Sequence, residues 1–182
     1  RLLDLGPCGI LLPNVESTEE LDRVQQTIQM PPRGKRRPGG MGNYWMSDFN
    51  YETWKADFED HFIVIPQIES QAGVDAIDAI TAHPCVTAVG LGPYDLSADL
   101  GCCWDPNNER FQASLATVKA AADAVGKKVW AGTNAAELQT KGYTFLWVGT
   151  VSSMLGQAIA RTVGDLKAGT AKADNENTPP PA

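Results

Sequence analysis

Two carboxylates, Glu69 and Asp95, each lie just past the end of a short apolar run. The runs cover residues 62–68 and 86–91, and a stretch with helical periodicity separates them. Two apolar runs joined by a helix are typical of a βαβ unit, whose strands are parallel. Because the functional groups of parallel α/β folds gather at the carboxyl ends of the strands, we expect both acids on that face. Two carboxylates there either bind a hard divalent cation or share a proton.

The rest of the chain repeats this alternation. Five strands are predicted, over residues 8–15, 62–68, 86–91, 128–132 and 144–148. Helices are predicted over residues 71–82, 95–100, 108–125, 135–140 and 152–166, with one or two short ones inside the aromatic-rich stretch 43–61. Ser17 and Glu20 form a capping box for a further helix, which ends before Pro31. The pattern predicts a parallel sheet with helices outside it. A (β/α)8 barrel needs eight strands and about 250 residues, so five units form either an open doubly wound sheet or the C-terminal part of a barrel.

The composition argues against several classes of protein. A net charge of −7 argues against a nucleic-acid partner. No apolar stretch approaches the roughly 18 residues of a membrane span, so no membrane partner is expected. The cysteines form no CxxC pair and lie at no metal-ligand spacing from either histidine, which favours reduced, structural thiols and a cytoplasmic protein. A redox role for the vicinal pair Cys102 and Cys103 is the alternative.

The first residue is Arg1 rather than methionine. The residues that follow, 2–6, are typical of the last turn of a helix with Gly6 as its C-cap. A chain that opens inside a helix is expected to have lost whatever preceded it, including any signal peptide.

Two motifs resemble the signature of a known family, the HpcH/HpaI aldolases. They are residues 66–70 (PQIES) and residues 92–101 (GPYDLSADLG). Further similar segments are residues 2–6, 11–13, 31–36 and 148–149, and the resemblance extends to about Gly169. Members of this family are metal-dependent class II pyruvate aldolases of the phosphoenolpyruvate/pyruvate-binding barrel superfamily. The resemblance implies an α/β fold, a (β/α)8 TIM barrel of which residues 1–169 carry the last five βα units. Residues 170–182 are expected to form a disordered tail.

Carried over by position, the resemblance implies a set of site residues. Glu69 and Asp95 would be the protein ligands of Mg²⁺, Mn²⁺ or Co²⁺. Gln67 would contact the oxo-acid end of the substrate, and the turn formed by Gly92, Pro93, Tyr94 and Asp95 would present backbone N–H groups to the pyruvate carboxylate. A helix N-terminus suits an anion, and a cation with few protein ligands keeps positions open for substrate oxygens. Taken singly, however, Asp95 could simply cap a helix, Glu69 could be a surface residue, and Gln67 could merely point into the barrel.

The sequence departs from the family pattern in two ways. The family's catalytic His and Arg belong to βα units that would lie upstream, so the catalytic residues of this chain are unknown. His61 and His83 both precede strands and are expected at the opposite face, as are Lys127 and Lys128, which disfavours a Schiff-base mechanism. The aromatic-rich stretch 43–61 resembles a fungal branch that includes macrophomate synthase.

The function implied by the resemblance is reversible aldol cleavage of a 4-hydroxy-2-oxo acid to pyruvate and an aldehyde, through a metal-stabilised enolate. Alternatives are an oxaloacetate decarboxylase of the macrophomate synthase type, an acyl-CoA lyase of the citrate lyase beta type, and a non-catalytic truncated chain. Gln67 and the Gly-Pro-x-Asp motif favour the aldolase over the acyl-CoA lyase.

Two features of the sequence concern contacts with other molecules. The last predicted helix carries an apolar stripe formed by Leu155, Ile159 and Val163. In the resembled family that helix packs against a neighbouring subunit, which implies a homo-oligomer, a trimer or hexamer. The basic run of Arg33, Lys35, Arg36 and Arg37 is typical of a solvated loop, with an anionic substrate or a neighbouring subunit as the alternative partner.

Overall fold

A computed structural model describes residues 2–37, 39, 50–103, 105–132 and 135–169. The strands are β1 Gly9–Leu12, β2 Ile63–Ile68, β3 Ala88–Leu91, β4 Lys128–Ala131 and β5 Phe145–Leu146. The α-helices are α1 Thr18–Ile28, α2 Tyr51–Asp57, α3 Gln71–Asp75, α4 Ile77–Ala82, α5 Pro93–Asp99, α6 Glu109–Ala124, α7 Ala135–Thr140 and α8 Val151–Lys167. Short 3₁₀ helices, Leu2–Leu5 and Glu59–His61, precede β1 and β2.

The five strands form one parallel sheet in chain order, β1-β2-β3-β4-β5. The predicted parallel α/β architecture is therefore confirmed. A doubly wound sheet reverses its strand order at a switch point, whereas a barrel adds each new strand on the same side. The observed order is that of the barrel, which resolves the choice that the strand count left open.

The strands are shorter than predicted. β1 ends at Leu12 because Pro13 has no N–H to donate to a neighbouring strand and Asn14 adopts a left-handed backbone conformation, with φ of 47°. β3 begins at Ala88 rather than at Val86, and β5 contains two residues instead of the five expected over 144–148.

The helix predicted over residues 71–82 is two helices, α3 and α4. The break lies at Ala76, whose φ of −91° and ψ of 3° depart from helical values. The apolar residues that predicted one helix, Val74, Ile77 and Ile80, are all buried. The capping box before α1 is present, because the Glu20 carboxylate accepts hydrogen bonds from the backbone N–H groups of Glu16 and Ser17.

The two faces of the sheet differ in their cover. One face packs against helices and holds the main core, in which Ile68, Val89 and Val129 are buried. The other face carries Leu11, Ile65 and Trp130. A Cβ built on Gly90 would come within 3.2 Å of Ile65, 3.3 Å of Leu11 and 3.4 Å of Trp130. Leu11 is 43% exposed there, and in a closed barrel this face is the interior.

Residues 51–62, from the described part of the aromatic-rich stretch and the residue after it, contribute to a second, smaller core. Met30, Trp54 and Phe58 are buried together, with Tyr51 and Phe62 packed against them. The ring centroids of Trp54 and Phe58 are 4.4 Å apart. Trp54 therefore belongs to this small core. Trp45, the other tryptophan of the aromatic-rich stretch, lies outside the described residues.

The chain divides into two compact units, residues 1–147 and residues 148–182. The described part of the second unit is mainly α8, which begins after the N-cap Thr150. Leu155, Ile159 and Val163 of α8 are 59, 55 and 41% exposed. The proposed extent of the barrel portion, residues 1–169, stays a prediction, and the proposed tail lies outside the described residues. In the described part of the chain, no helix has the length and apolarity needed to cross a membrane.

Candidate active site

Glu69 and Asp95 lie at one edge of the sheet. Glu69 directly follows β2, and Asp95 lies in the first turn of α5, which Gly92 joins to β3. The last residues of these strands, Ile68 and Leu91, are register partners. Burial raises the pKa of Glu69, a hydrogen bond from the backbone of Asn14 acts in the opposite direction, and the negative charge of Asp95 raises the pKa further. The two carboxylates therefore interact electrostatically.

Gly92 makes room for the Glu69 side chain. A Cβ at residue 92 would lie 2.3 Å from Glu69 Oε1 and 2.5 Å from Glu69 Cγ, far inside contact distance. The backbone N–H of Gly92 donates to the carbonyl oxygen of Ile68 at 3.1 Å, which fixes the turn against the end of β2. Glycine is therefore required at this position for steric reasons, because Glu69 lies across the start of α5.

Hydrogen bonds from residues 14–16, which follow β1, hold residues 67–70 in place, and we call this set of bonds the clamp. The backbone N–H of Asn14 donates to Glu69 Oε2 at 2.8 Å, and that of Val15 donates to the carbonyl oxygen of Gln67 at 3.1 Å. Ser70 Oγ donates to Glu16 Oε1 at 2.6 Å. The clamp was not predicted from the sequence. The one signal for it was Asn14 after Pro13 at the end of a strand, because asparagine tolerates the left-handed backbone conformation.

Further contacts fix the start of α3 at the same edge. The backbone N–H of Gln71 donates to Asp99 Oδ2 of α5 at 2.7 Å, and Arg110 Nη2 donates to Gln71 Oε1 at 2.9 Å. Ser70 caps α3 by accepting from the N–H of Gly73. Glu69 is thus anchored by the residues after β1 on one side and by the start of α3 on the other.

Gln67 lies two residues before Glu69 on β2. Its register partner is Gly90, which has no side chain. Because Ile65 lies two residues earlier on the same strand, Gln67 shares its face of the sheet, the face that a barrel encloses. Its side chain is half-buried. This position is compatible with the expected contact to a substrate, which stays a prediction.

The expected backbone donors of the turn need a correction. The prediction that Gly92 and Pro93 present N–H groups to a carboxylate is wrong, because the Gly92 N–H already bonds to Ile68 and proline has no N–H. Of the four predicted residues, Tyr94 and Asp95 carry the remaining backbone N–H groups, within the first turn of α5.

The histidines lie at the opposite edge of the sheet. His61 is exposed immediately before β2, and His83 is buried before β3. His83 Nε2 lies 3.2 Å from Asp22 Oδ1, and its Nδ1 lies 3.1 Å from Cys85 Sγ. Lys127 Nζ donates to the carbonyl oxygen of His83 at that edge. None of these groups can act as a base or Schiff-base lysine beside Glu69.

The donor set at Glu69 and Asp95 fits a hard divalent cation. Two carboxylates at adjacent strand ends supply oxygen ligands and two negative charges, which Mg²⁺-type ions prefer. Within the described ranges, no group of three or more His, Cys, Asp or Glu residues could hold a metal. A cation held by this pair alone would keep most of its coordination positions for water or for a substrate.

A cleft of about 440 Å³ lies on the flank of α5 that carries Pro93, Tyr94 and Ser97. Leu91, Phe111 and Leu138 also line it, and its rim includes Asp105, Glu137 and Lys141. The cleft therefore adjoins the turn that carries Asp95 and has an apolar wall with a charged rim.

Comparison with known proteins agrees with this geometry. Residues 1–157 match the family model described as HpcH/HpaI aldolase/citrate lyase. The chain is 33% identical over 174 residues to the hydroxypyruvate/pyruvate aldolase of Chromohalobacter salexigens, covering 92% of this chain and 67% of that protein. The chain likewise spans 65% of the hydroxypyruvate/pyruvate aldolase of Roseovarius nubinhibens and 49% of the 5-keto-4-deoxy-D-glucarate aldolase of Citrobacter koseri, at 30 and 35% identity over 90 and 70% of this chain.

Solved structures show the same fold. The HpcH/HpaI aldolase from Desulfitobacterium hafniense superposes with a TM-score of 0.79 at 30% identity, over 96% of this chain and 68% of that one. Macrophomate synthase superposes with a TM-score of 0.76 at 24% identity, over 93% of this chain and 62% of that one, which shows a shared fold. With its matching motifs, parallel strands and paired carboxylates, the chain belongs to the HpcH/HpaI aldolase/citrate lyase family.

Proposed function

We propose that this chain carries the metal- and oxo-acid-binding part of a class II pyruvate aldolase. The reaction is the reversible cleavage of a 4-hydroxy-2-oxo acid to pyruvate and an aldehyde. The observation that carries the proposal is the placement of two carboxylates just past the ends of neighbouring strands, Glu69 directly after β2 and Asp95 in the first turn of the helix that follows β3. Family membership and the aldolase relatives support the same reaction class.

In this proposal Glu69 and Asp95 hold a divalent cation, Mg²⁺, Mn²⁺ or Co²⁺. When bound, the cation supplies Lewis-acid stabilisation of the negative charge that develops on the keto oxygen as the C–C bond breaks. Asn14 and Gly92 fix the Glu69 carboxylate before binding, so that little reorganisation accompanies it. Gln67 contacts the oxo-acid end of the substrate, and the backbone of Tyr94 and Asp95 faces its carboxylate.

The proton that leaves the hydroxyl group during cleavage needs an acceptor. His61 and His83 lie at the opposite edge of the sheet and do not serve as that base. General acid–base help is worth about 10²–10⁴ in rate, so metal binding without a base supports little turnover. We propose that the 182-residue chain binds metal and pyruvate but cleaves oxo acids slowly.

Metal binding is tested by calorimetry with Mn²⁺, in the presence and absence of oxalate, an isostere of pyruvate enolate. Asp95→Ala should abolish measurable binding, and oxalate should bind only with metal present. Asp78→Ala, which removes an exposed acid from α4, is the matched control. Unchanged Mn²⁺ affinity in Asp95→Ala would refute the site.

Turnover is tested by coupling pyruvate release to lactate dehydrogenase, with 4-hydroxy-2-oxo acids as substrates. Oxaloacetate in a parallel reaction separates decarboxylation from aldol cleavage. Cleavage by the 182-residue chain at a rate typical of enzymes, a kcat of about 1–10³ s⁻¹, would show that a base is present among residues that this proposal excludes.

We further propose that the protein is a cytoplasmic homo-oligomer, a trimer or hexamer. The exposed apolar stripe of α8, formed by Leu155, Ile159 and Val163, supports assembly because such stripes are normally covered. Light scattering tests this, and a monodisperse monomer would count against it.

A further inference from the structure

The basic segment 33–37 lies at the edge of the sheet opposite to Glu69. It follows α1 and contacts the residues that lead into the first two strands. Arg33 Nη1 lies 2.6 Å from Asp60 Oδ1, just before β2, and Arg36 Nη2 lies 3.2 Å from Asp4 Oδ1, before β1. Residues that precede parallel strands share the amino edge of the sheet, so this segment is remote from the candidate active site.

The positive charges of the segment exceed the acids that face it. Arg33 pairs with Asp60 and lies 3.5 Å from Glu59 Oε2, while Arg36 pairs with Asp4. Within the described residues, neither Lys35 nor Arg37 has an acidic partner at ion-pair distance. The four cations of the segment and the three acids Asp4, Glu59 and Asp60 leave one net positive charge, with Lys35 and Arg37 exposed, on a chain of net charge −7.

Arg36 is a buried cation that is only partly satisfied. Its side chain is 5% exposed, and Nη1 has no hydrogen-bond acceptor. The guanidinium carbon lies 5.1 Å from the ring centroid of Trp54 and 5.7 Å from that of Phe58, which holds the group in place by cation–π contact. A buried arginine donor without an acceptor is unfavourable, and an anion would relieve it.

Tyr51 adds a second donor of the same kind. Its hydroxyl group is buried and has no hydrogen-bond partner. Burial raises the pKa of Tyr51, with Glu59 as the next cause, so the hydroxyl keeps its proton and remains a donor. The Glu59 carboxylate also acts on this region: Oε1 accepts from the Met30 N–H at 2.5 Å, while Oε2 is buried without a hydrogen-bond partner and lies 3.5 Å from Arg33 Nη1, whose charge offsets it.

These groups surround one open cleft. It has a volume of about 700 Å³, and Lys35, Arg36, Arg37 and Tyr51 line it together with Met30 and Pro31. We propose that this cleft binds a small oxyanion, a phosphate or a carboxylate, at a site separate from the Glu69–Asp95 pair. Lys35 and Arg37 make the first contacts, and small side-chain rotations bring Arg36 Nη1 and the Tyr51 hydroxyl to the bound oxygens. The fork of the arginine suits either oxyanion.

Calorimetric titration with inorganic phosphate and with succinate, at constant ionic strength set by chloride, tests the proposal. The double variant Lys35→Ala/Arg37→Ala should weaken binding at least about tenfold, since it removes both rim cations. The control Arg23→Ala/Lys128→Ala removes the same charge from exposed residues elsewhere and should bind like the wild type. Preference for phosphate or for succinate identifies which oxyanion the cleft takes.

Tyr51→Phe supplies a second variant, because it keeps the ring in the small core and removes only the hydroxyl group. It should weaken anion binding while leaving far-ultraviolet circular dichroism and Mn²⁺ affinity unchanged. The proposal is overturned if neither anion binds the wild type, if both double variants lose affinity equally, or if Lys35→Ala/Arg37→Ala and Tyr51→Phe both bind as the wild type does.

Discussion

The backbone N–H of Asn14 donates to Glu69 Oε2 at 2.8 Å across 55 residues of sequence, joining the carboxyl ends of β1 and β2. Asn14 is the one non-glycine residue with positive φ in the described part of the chain. A strained residue at such a position is typical of a functional site, because surrounding structure must hold it there. Because the Asn14 N–H binds Oε2, the other carboxylate oxygen of Glu69, Oε1, lies beside Gly92. The proposed cation shared with Asp95 would bind there.

Replacing Asn14 tests this clamp. Asn14→Val places a β-branched residue at a φ of 47°, which costs about 1–2 kcal/mol and should move the amide away from Glu69. Mn²⁺ affinity measured by calorimetry should fall. Asn14→Gly keeps both the N–H and the left-handed conformation, so it should bind Mn²⁺ like the wild type. Equal affinity in all three proteins would mean that the clamp does not position the ligand.

Gly92→Ala should displace the Glu69 carboxylate, because its Cβ would lie 2.3 Å from Oε1. We expect lower Mn²⁺ affinity together with a lower melting temperature. Gly156→Ala is the matched control, since a Cβ there meets nothing within 4 Å. In the interior of α8 it should stabilise the helix by up to about 1 kcal/mol. Wild-type Mn²⁺ affinity in Gly92→Ala would disprove the steric role of this glycine.

The cysteines should differ in reactivity. Burial raises the pKa of the Cys85 thiol from 9.0 to about 11, whereas Cys8 and Cys103 are exposed. Because the thiolate is the nucleophile, iodoacetamide at pH 8 should label the exposed pair first and Cys85 slowly. Mass spectrometry of peptides after timed quenching measures the order. Unfolding in urea is the control and should make all sites react alike.

The same thiol affects stability at alkaline pH. The unfolded thiol ionises at its ordinary pKa of 9.0, and the folded one only near 11. The stabilisation from the neutral thiol is therefore present below pH 9 and lost as pH rises from 9 towards 11. Cys85→Ala should show a shallower decline of melting temperature over this interval than the wild type. Parallel curves for the two proteins would assign the alkaline loss to other groups.

A charge on the apolar stripe of α8 should disrupt the proposed assembly. Ile159→Glu introduces a carboxylate whose burial in a subunit contact is unfavourable, so light scattering should detect smaller species. Leu155→Glu should act alike, whereas Arg161→Glu, off the stripe, should leave the mass unchanged. An unchanged mass in all three variants would show that α8 is not the contact.

Local patterns in the sequence were enough to predict the parallel α/β fold and the edge on which Glu69 and Asp95 lie. Periodicity decides whether a segment is a strand or a helix, and a βαβ unit places the ends of successive strands together. The helices over residues 108–125 and 135–140 were accordingly predicted nearly to their observed ends.

Only the tertiary structure determined the contacts that fix the site. The bond from Asn14 to Glu69, the Gly92 N–H bond to Ile68 and the cluster of Asp22, His83 and Cys85 join residues that are distant in sequence or depend on backbone angles. Sequence periodicity contains no information on such pairs, because they form only when separate elements pack. The same reason explains why the break at Ala76 and the unpaired donors of Arg36 and Tyr51 could not be predicted.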